Sequence, residues 1–142
     1  MAESLVDQLA CVGLFEDVPK KHLKKIASLV EVREVPNGEE LIREGTYTRD
    51  FFMILSGSAT VSVRGKQRDT MGRGEFFGEI ALLAKAMRSA TVTSSSPMQL
   101  AVIGAADFQG LLESEPHIAL YMLGVMARRW ETLSFKPAGA LK

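Results

Sequence analysis

Glu79 and Arg88 lie in the run Gly74-Glu75-Phe76-Phe77-Gly78-Glu79-Ile80-Ala81-Leu82-Leu83, which is followed shortly by Arg88-Ser89-Ala90-Thr91. These residue types suit the capture of a small anionic sugar phosphate. A guanidinium is planar and can donate to two phosphate oxygens at once, whereas a carboxylate only accepts and so suits a sugar hydroxyl. Glycines bring the backbone close to a ligand. Glu79-Ile80-Ala81-Leu82-Leu83-Ala84 reads as a short helix whose first amides lack intrahelical partners, and the positive end of its dipole favours an anion. The division of labour predicted is phosphate to Arg88 and sugar to Glu79. Ser89 adds a hydroxyl able to donate to the phosphate or to accept from a guanine amino group.

Taken singly, these residues have plainer readings: turn glycines, a glutamate partnering the helix dipole, a solvated arginine. A structural Glu79–Arg88 ion pair in a domain with no ligand is a further one. The joint order and spacing, however, resembles the phosphate-binding cassette of cyclic-nucleotide-binding domains: Phe-Gly-Glu, an aliphatic, Ala-Leu, a short spacer, Arg, a small residue, Ala and Thr. Phe77 to Leu82 and Arg88 to Thr91 match that order. The resemblance implies that Glu79 binds the ribose 2′-hydroxyl and Arg88 the exocyclic phosphate oxygens, with backbone contacts at Gly78, Ile80, Ala81 and Ser89. Met87 departs from the pattern, since many members carry proline there. The resemblance also implies a final helix that folds over the base as a lid, which makes Met126, Arg129 and Trp130 candidate lid residues, with Arg128 beside them. Arg-Ser at positions 88 and 89 occurs in bacterial cAMP-responsive regulators, while a hydroxyl at 89 is associated elsewhere in the family with cGMP. The expected ligand is cAMP, with cGMP second.

The elements that must position these residues follow from periodicity. Residues 3–12 and 19–28 carry helical spacing, with Leu5, Leu9 and Val12 in the first and Leu23, Ile26 and Ala27 in the second; Pro19 suits that helix's first turn. From 29 to 103 short β-rich runs alternate with turn residues: 29–35, 40–43, 51–55, 59–64, 90–93 and 99–103. Helical spacing returns at 105–112 and from Pro116 to about Ser134, where Ala119, Met122, Leu123, Met126, Trp130 and Leu133 form an apolar stripe. That stripe reads as core, with a lid or a dimer seam as alternatives. Residues 136–142 read as a loose tail. Periodicity alone gives a β-rich core with flanking helices. The resemblance specifies a β-roll of jelly-roll type over 29–103, holding a cassette at 77–91, within one domain spanning 1–135.

Bulk properties exclude other classes. The chain has 142 residues and is 46% hydrophobic, enough for one domain with a real core and too short for a second. Lys+Arg and Asp+Glu are equal at 17 each, so no overall cationic field favours nucleic acid or an anionic membrane. No apolar run spans a bilayer, and the first residues lack a signal-peptide stretch, so a cytoplasmic location is expected. The single Cys11 reads as a buried thiol in an apolar helix. His22 amid four lysines reads as a solvated helix face, and His117 as a helix-start residue; the two are far apart and show no carboxylate clustering. Neither a metal-ligand set nor a nucleophile motif is present, and the expectation is a non-enzyme without metal. Output then passes to an effector, a second copy or another domain. The alternative is an interaction domain with a relic pocket that oligomerises through its last helix.

Overall fold

The computed structural model describes residues 4–134, with side chains to Trp130. The tail expected at 136–142 and the side chain of Leu133 lie outside the described residues. The chain opens with α1 (Leu5–Ala10), a 3-10 turn (Gly13–Phe15) and α2 (Lys20–Ala27). Ser4 caps α1 by accepting the Asp7 amide at 3.2 Å. Pro19 sits one place earlier than expected: it is the N-cap residue of α2, and its carbonyl accepts the His22 and Leu23 amides. Cys11 is exposed rather than buried, because it falls at the end of α1 while Leu9 and Val12 take the inward positions.

Eight strands follow: β1 (Glu31–Val35), β2 (Glu40–Ile42), β3 (Asp50–Ser56), β4 (Ala59–Val63), β5 (Lys66–Met71), β6 (Phe76–Phe77), β7 (Thr91–Ser94) and β8 (Met98–Gly104). They form two four-stranded antiparallel sheets, ordered β1-β8-β3-β6 and β2-β7-β4-β5, packed as an open sandwich. The expected jelly-roll class is thus found. β5 and β6 went unpredicted. β5 is a polar edge strand with only Met71 buried, and β6 has two residues, so neither carries an alternating signal. Arg64 and Gly65 both adopt positive φ, 54° and 79°, as a two-residue hairpin between β4 and β5 requires.

In the first sheet β3, β6 and β8 are buried on both faces, while β1 buries only Val35. Phe51, Met53, Leu55, Phe76, Ala101 and Ile103 pack outward against the helices, and Phe52, Ile54, Phe77, Leu100 and Val102 pack inward between the sheets. Between β6 and β7 the chain leaves the sheets for α3 (Glu79–Ala84), the helical insert that the sequence predicted. It ends in α4 (Ala105–Ser114) and α5 (Pro116–Ser134).

The inward face of α5 differs from the predicted stripe. Ile118 and Met122 are buried, and Tyr121, Val125 and Met126 pack against the same helical core. Leu120, Leu123 and Trp130 are 68%, 58% and 66% exposed. The apolar residues wrap too much of this helix for periodicity to choose the buried face. The histidines also depart from expectation. His22 Nδ1 lies 2.5 Å from Glu115 Oε1, and His117 Nε2 lies 3.9 Å from Glu115 Oε2, at the single residue between α4 and α5. Tertiary packing joins positions that sequence separation had hidden. Among the described residues no group of side chains could hold a metal ion, and no helix is long and apolar enough to cross a membrane.

Candidate functional site

Gly78 makes the site possible. Its φ of +94° turns the chain from β6 into α3, a left-handed conformation that glycine adopts freely. A Cβ there would lie 3.0 Å from the Asp50 carbonyl oxygen and 3.2 Å from Arg88 Nη1. The bare backbone therefore lets the arginine reach across α3's entry. Arg88 is 3% exposed. Its Nε donates to Thr48 Oγ1 at 2.9 Å, Nη1 to the Gly78 carbonyl at 2.8 Å and Nη2 to the Asp50 carbonyl at 2.7 Å. A guanidinium has five N–H groups, so one remains on each terminal nitrogen. Burial lowers the Arg88 pKa, opposed by Asp50 and then Glu79. The backbone of Arg88 is fixed as well, by bonds to Thr46 O and from the Gly45 amide. Thr91 Oγ1 accepts the Glu44 amide at 3.1 Å and ties the end of the cassette to the same loop.

Glu79 is 1% exposed, and its Oε1 is buried without a hydrogen-bond donor. Arg88 is not within ion-pair distance of it; the cation facing Oε1 is Arg129 of α5, whose Nη1 stands 3.6 Å away. Arg129 is held there by donating from Nη2 to the Phe76 carbonyl at 2.7 Å, with its guanidinium 4.8 Å from the Phe76 ring centroid. Loss of water raises the Glu79 pKa, although its own backbone amide, Arg129 and Arg88 all oppose the rise.

These groups share one cavity of about 800 Å³. Gly78, Glu79, Ile80, Ala81, Arg88 and Ser89, the six residues expected to bind ligand, all line it. Of the lid candidates, Arg129 lines it together with Val125 and Arg128, while Met126 packs in the helical core. Trp130 points to solvent and is not a base platform in this arrangement. The opposite wall comes from Val61 and Val63 of β4 and from Arg68, Asp69 and Met71 of β5. None of these wall residues was singled out from sequence, since β5 itself was not foreseen. Donors for an anion at one end, an unsatisfied carboxylate beside it and an apolar-walled space beyond match the parts of a nucleotide.

The comparisons with known proteins agree. The family model for the cyclic nucleotide-binding domain matches residues 32–115. The chain belongs to the cyclic nucleotide-binding domain family. A cyclic nucleotide-gated potassium channel of Rhizobium etli is 36% identical over 111 residues, covering 78% of this chain and 31% of the channel. A cAMP-dependent protein kinase regulatory subunit of Neurospora crassa is 34% identical over 114 residues, 79% of this chain and 29% of the subunit. The domain therefore spans about three tenths of these relatives. Among solved structures, one described as Sp-2Cl-cAMPS bound to PKAR CBD2 superposes with a TM-score of 0.79 at 25% identity, covering 97% of this chain and 94% of that one. By their descriptions the first of these relatives is gated by a cyclic nucleotide and the second is a regulatory subunit.

Proposed function

We propose that this domain is a cAMP sensor in which Arg88 holds the cyclic phosphate, Glu79 the ribose hydroxyl, and α5 reports occupancy. One observation carries the reading: a buried carboxylate oxygen with no donor faces the same cavity as a buried arginine with two N–H groups left over. A buried unsatisfied polar atom costs roughly 1–3 kcal/mol, which a sugar hydroxyl would recover. The backbone at Gly78, Ile80, Ala81 and Ser89 completes the phosphate cradle. cAMP is favoured over cGMP because the kinase regulatory subunit carries that nucleotide in its description and the superposed structure carries an analogue of it, Sp-2Cl-cAMPS.

Arg129 links the pocket to α5. A ribose hydroxyl on Glu79 changes what Arg129 faces, and a ligand shifts a helix only through such a difference between its positions. Isothermal titration with cAMP, cGMP and AMP tests the whole reading. Binding of cAMP with weaker cGMP and no AMP supports it; no binding of any of the three refutes it. A second reading rests on exposed Leu120, Leu123 and Trp130, an apolar set on α5 suited to a second copy or an effector. Sedimentation equilibrium with and without cAMP separates a ligand-dependent assembly from a constitutive one.

A further inference from the structure

Arg88 is buried, yet every acceptor that holds it is neutral: the Gly78 and Asp50 carbonyls and the Thr48 hydroxyl. No carboxylate among the described residues stands within ion-pair distance of it. The Asp50 carboxylate is turned elsewhere, with Oδ2 3.8 Å from Arg33 Nη2. Thr48 is thus the one side chain, among the described residues, to which Arg88 donates. The loop between β2 and β3 delivers it. The Arg88 amide donates to the Thr46 carbonyl at 2.8 Å, and the Arg88 carbonyl accepts the Gly45 amide at 2.9 Å. These two bonds lay the loop along the main chain of the arginine, and two residues further on Thr48 Oγ1 meets Nε at 2.9 Å. Thr48 is exposed and is not among the residues that line the cavity, whereas Arg88 and Gly78 are. A side chain so placed acts on a guest only through the guanidinium it touches.

We propose that Thr48 is a positioning residue for phosphate capture, on the reading given above that Arg88 holds the cyclic phosphate: its hydroxyl fixes the root of the guanidinium and leaves the charge of that group unneutralised. The two carbonyls pin Nη1 and Nη2, and Thr48 pins Nε. Three fixed points set the plane in which the remaining N–H groups aim, and a planar fork binds phosphate well only when it is so aimed. A carboxylate in the place of Thr48 would hold the same plane. It would also offset the charge on which phosphate binding depends and repel the phosphate itself. A hydroxyl accepts from Nε without that cost. The two residues are 40 positions apart in the chain, so neither their order nor their spacing marks the pair.

The test is calorimetric titration of the 142-residue chain and three variants with cAMP, each variant first shown to be folded by its thermal melt. Thr48→Val removes the acceptor at nearly constant size and should weaken cAMP about tenfold, as expected for losing a hydrogen bond to a charged group. Thr48→Ser keeps the hydroxyl and should bind within about twofold of the wild-type chain. Thr48→Asp keeps an acceptor beside Nε but adds a negative charge, and should weaken cAMP by about tenfold or more. Nuclear magnetic resonance supplies a second readout. The Arg88 Nε–H proton, assigned by its loss in Arg88→Lys, should exchange slowly with water in the wild-type chain, Thr48→Ser and Thr48→Asp, and quickly in Thr48→Val. Wild-type affinity in Thr48→Val, or equal weakening in Thr48→Val and Thr48→Ser, overturns the assignment while nucleotide binding stands. Wild-type affinity in Thr48→Asp overturns it too, since the anchor then has no need to be neutral. If the wild-type chain binds no cAMP, the sensor reading itself has failed and takes this inference with it.

Discussion

Arg129 Nη1 stands 3.6 Å from Glu79 Oε1, so the carboxylate that waits at the bottom of the pocket is faced by the last helix rather than by its cassette neighbour Arg88. The contact is too long for a hydrogen bond, yet it supplies the nearest opposite charge to a group that burial makes costly to ionise. Arg129 also donates to the Phe76 carbonyl. Replacing it should loosen α5. In Arg129→Ala, amide hydrogen exchange in α5 should quicken while β3 and β8 stay protected, and equal protection in α5 of both proteins would deny Arg129 this role.

Glu79 gives a stability test with a definite sign. Its native pKa is raised, so between the ordinary value of 4.5 and the native one the folded chain holds more protons than the unfolded chain. Stability therefore falls as pH rises through that window. Glu79→Gln removes the penalty, and its melting temperature should exceed that of the wild-type chain at pH 7, with the gap closing as pH is lowered toward 4.5. The same variant should bind cAMP more weakly by about 1 kcal/mol, since a neutral acceptor replaces a charged one. Thermal melts across pH and calorimetry check the two halves.

Arg88→Ala should weaken cAMP binding by roughly 2–5 kcal/mol, as when one member of a buried charged contact is truncated. It should also destabilise the chain without ligand, because the Gly78 and Asp50 carbonyls and the Thr48 hydroxyl lose their donor. Urea denaturation in the absence of nucleotide measures that second loss.

Gly78→Ala should cost about 1–3 kcal/mol, from a positive φ and a Cβ pressed against the Asp50 carbonyl. Because the other close atom is Arg88 Nη1, nucleotide affinity should fall with stability. A variant that melts early but titrates like the wild-type chain would show that Arg88 does not depend on this backbone.

Trp130→Ala should change stability by no more than about 0.5 kcal/mol, since the ring is exposed and outside the cavity lining. Its cAMP titration curve should overlay that of the wild-type chain. A marked loss of affinity would mean that α5 turns to bring the indole onto the base.

The cassette was legible in the sequence because its chemistry is local. Gly78, Glu79, Ile80, Ala81, Arg88 and Ser89 are bound together by a turn and a six-residue helix, so order and spacing suffice to bring them to one cavity. The alternation of β-rich runs likewise revealed β1 to β4, β7 and β8. What escaped was set by tertiary pairing. β5 is polar and takes its register from a hairpin and a bulge, and without it Arg68 and Asp69 could not be placed. His22 and His117 meet at Glu115 across most of the chain's length. On α5 a helix apolar on several sides gave no way to tell that Met126 faces the core and Trp130 the solvent.

The pair Phe76-Phe77 separates two compartments. Phe76 belongs to the core shared with the helices and touches Arg129, while Phe77 stacks on Phe52 at 4.9 Å and lines the cavity. Consecutive strand residues face opposite sides, so β6 puts one aromatic wall on the cavity and the other on the core beneath α5, and the same two-residue strand bounds both spaces.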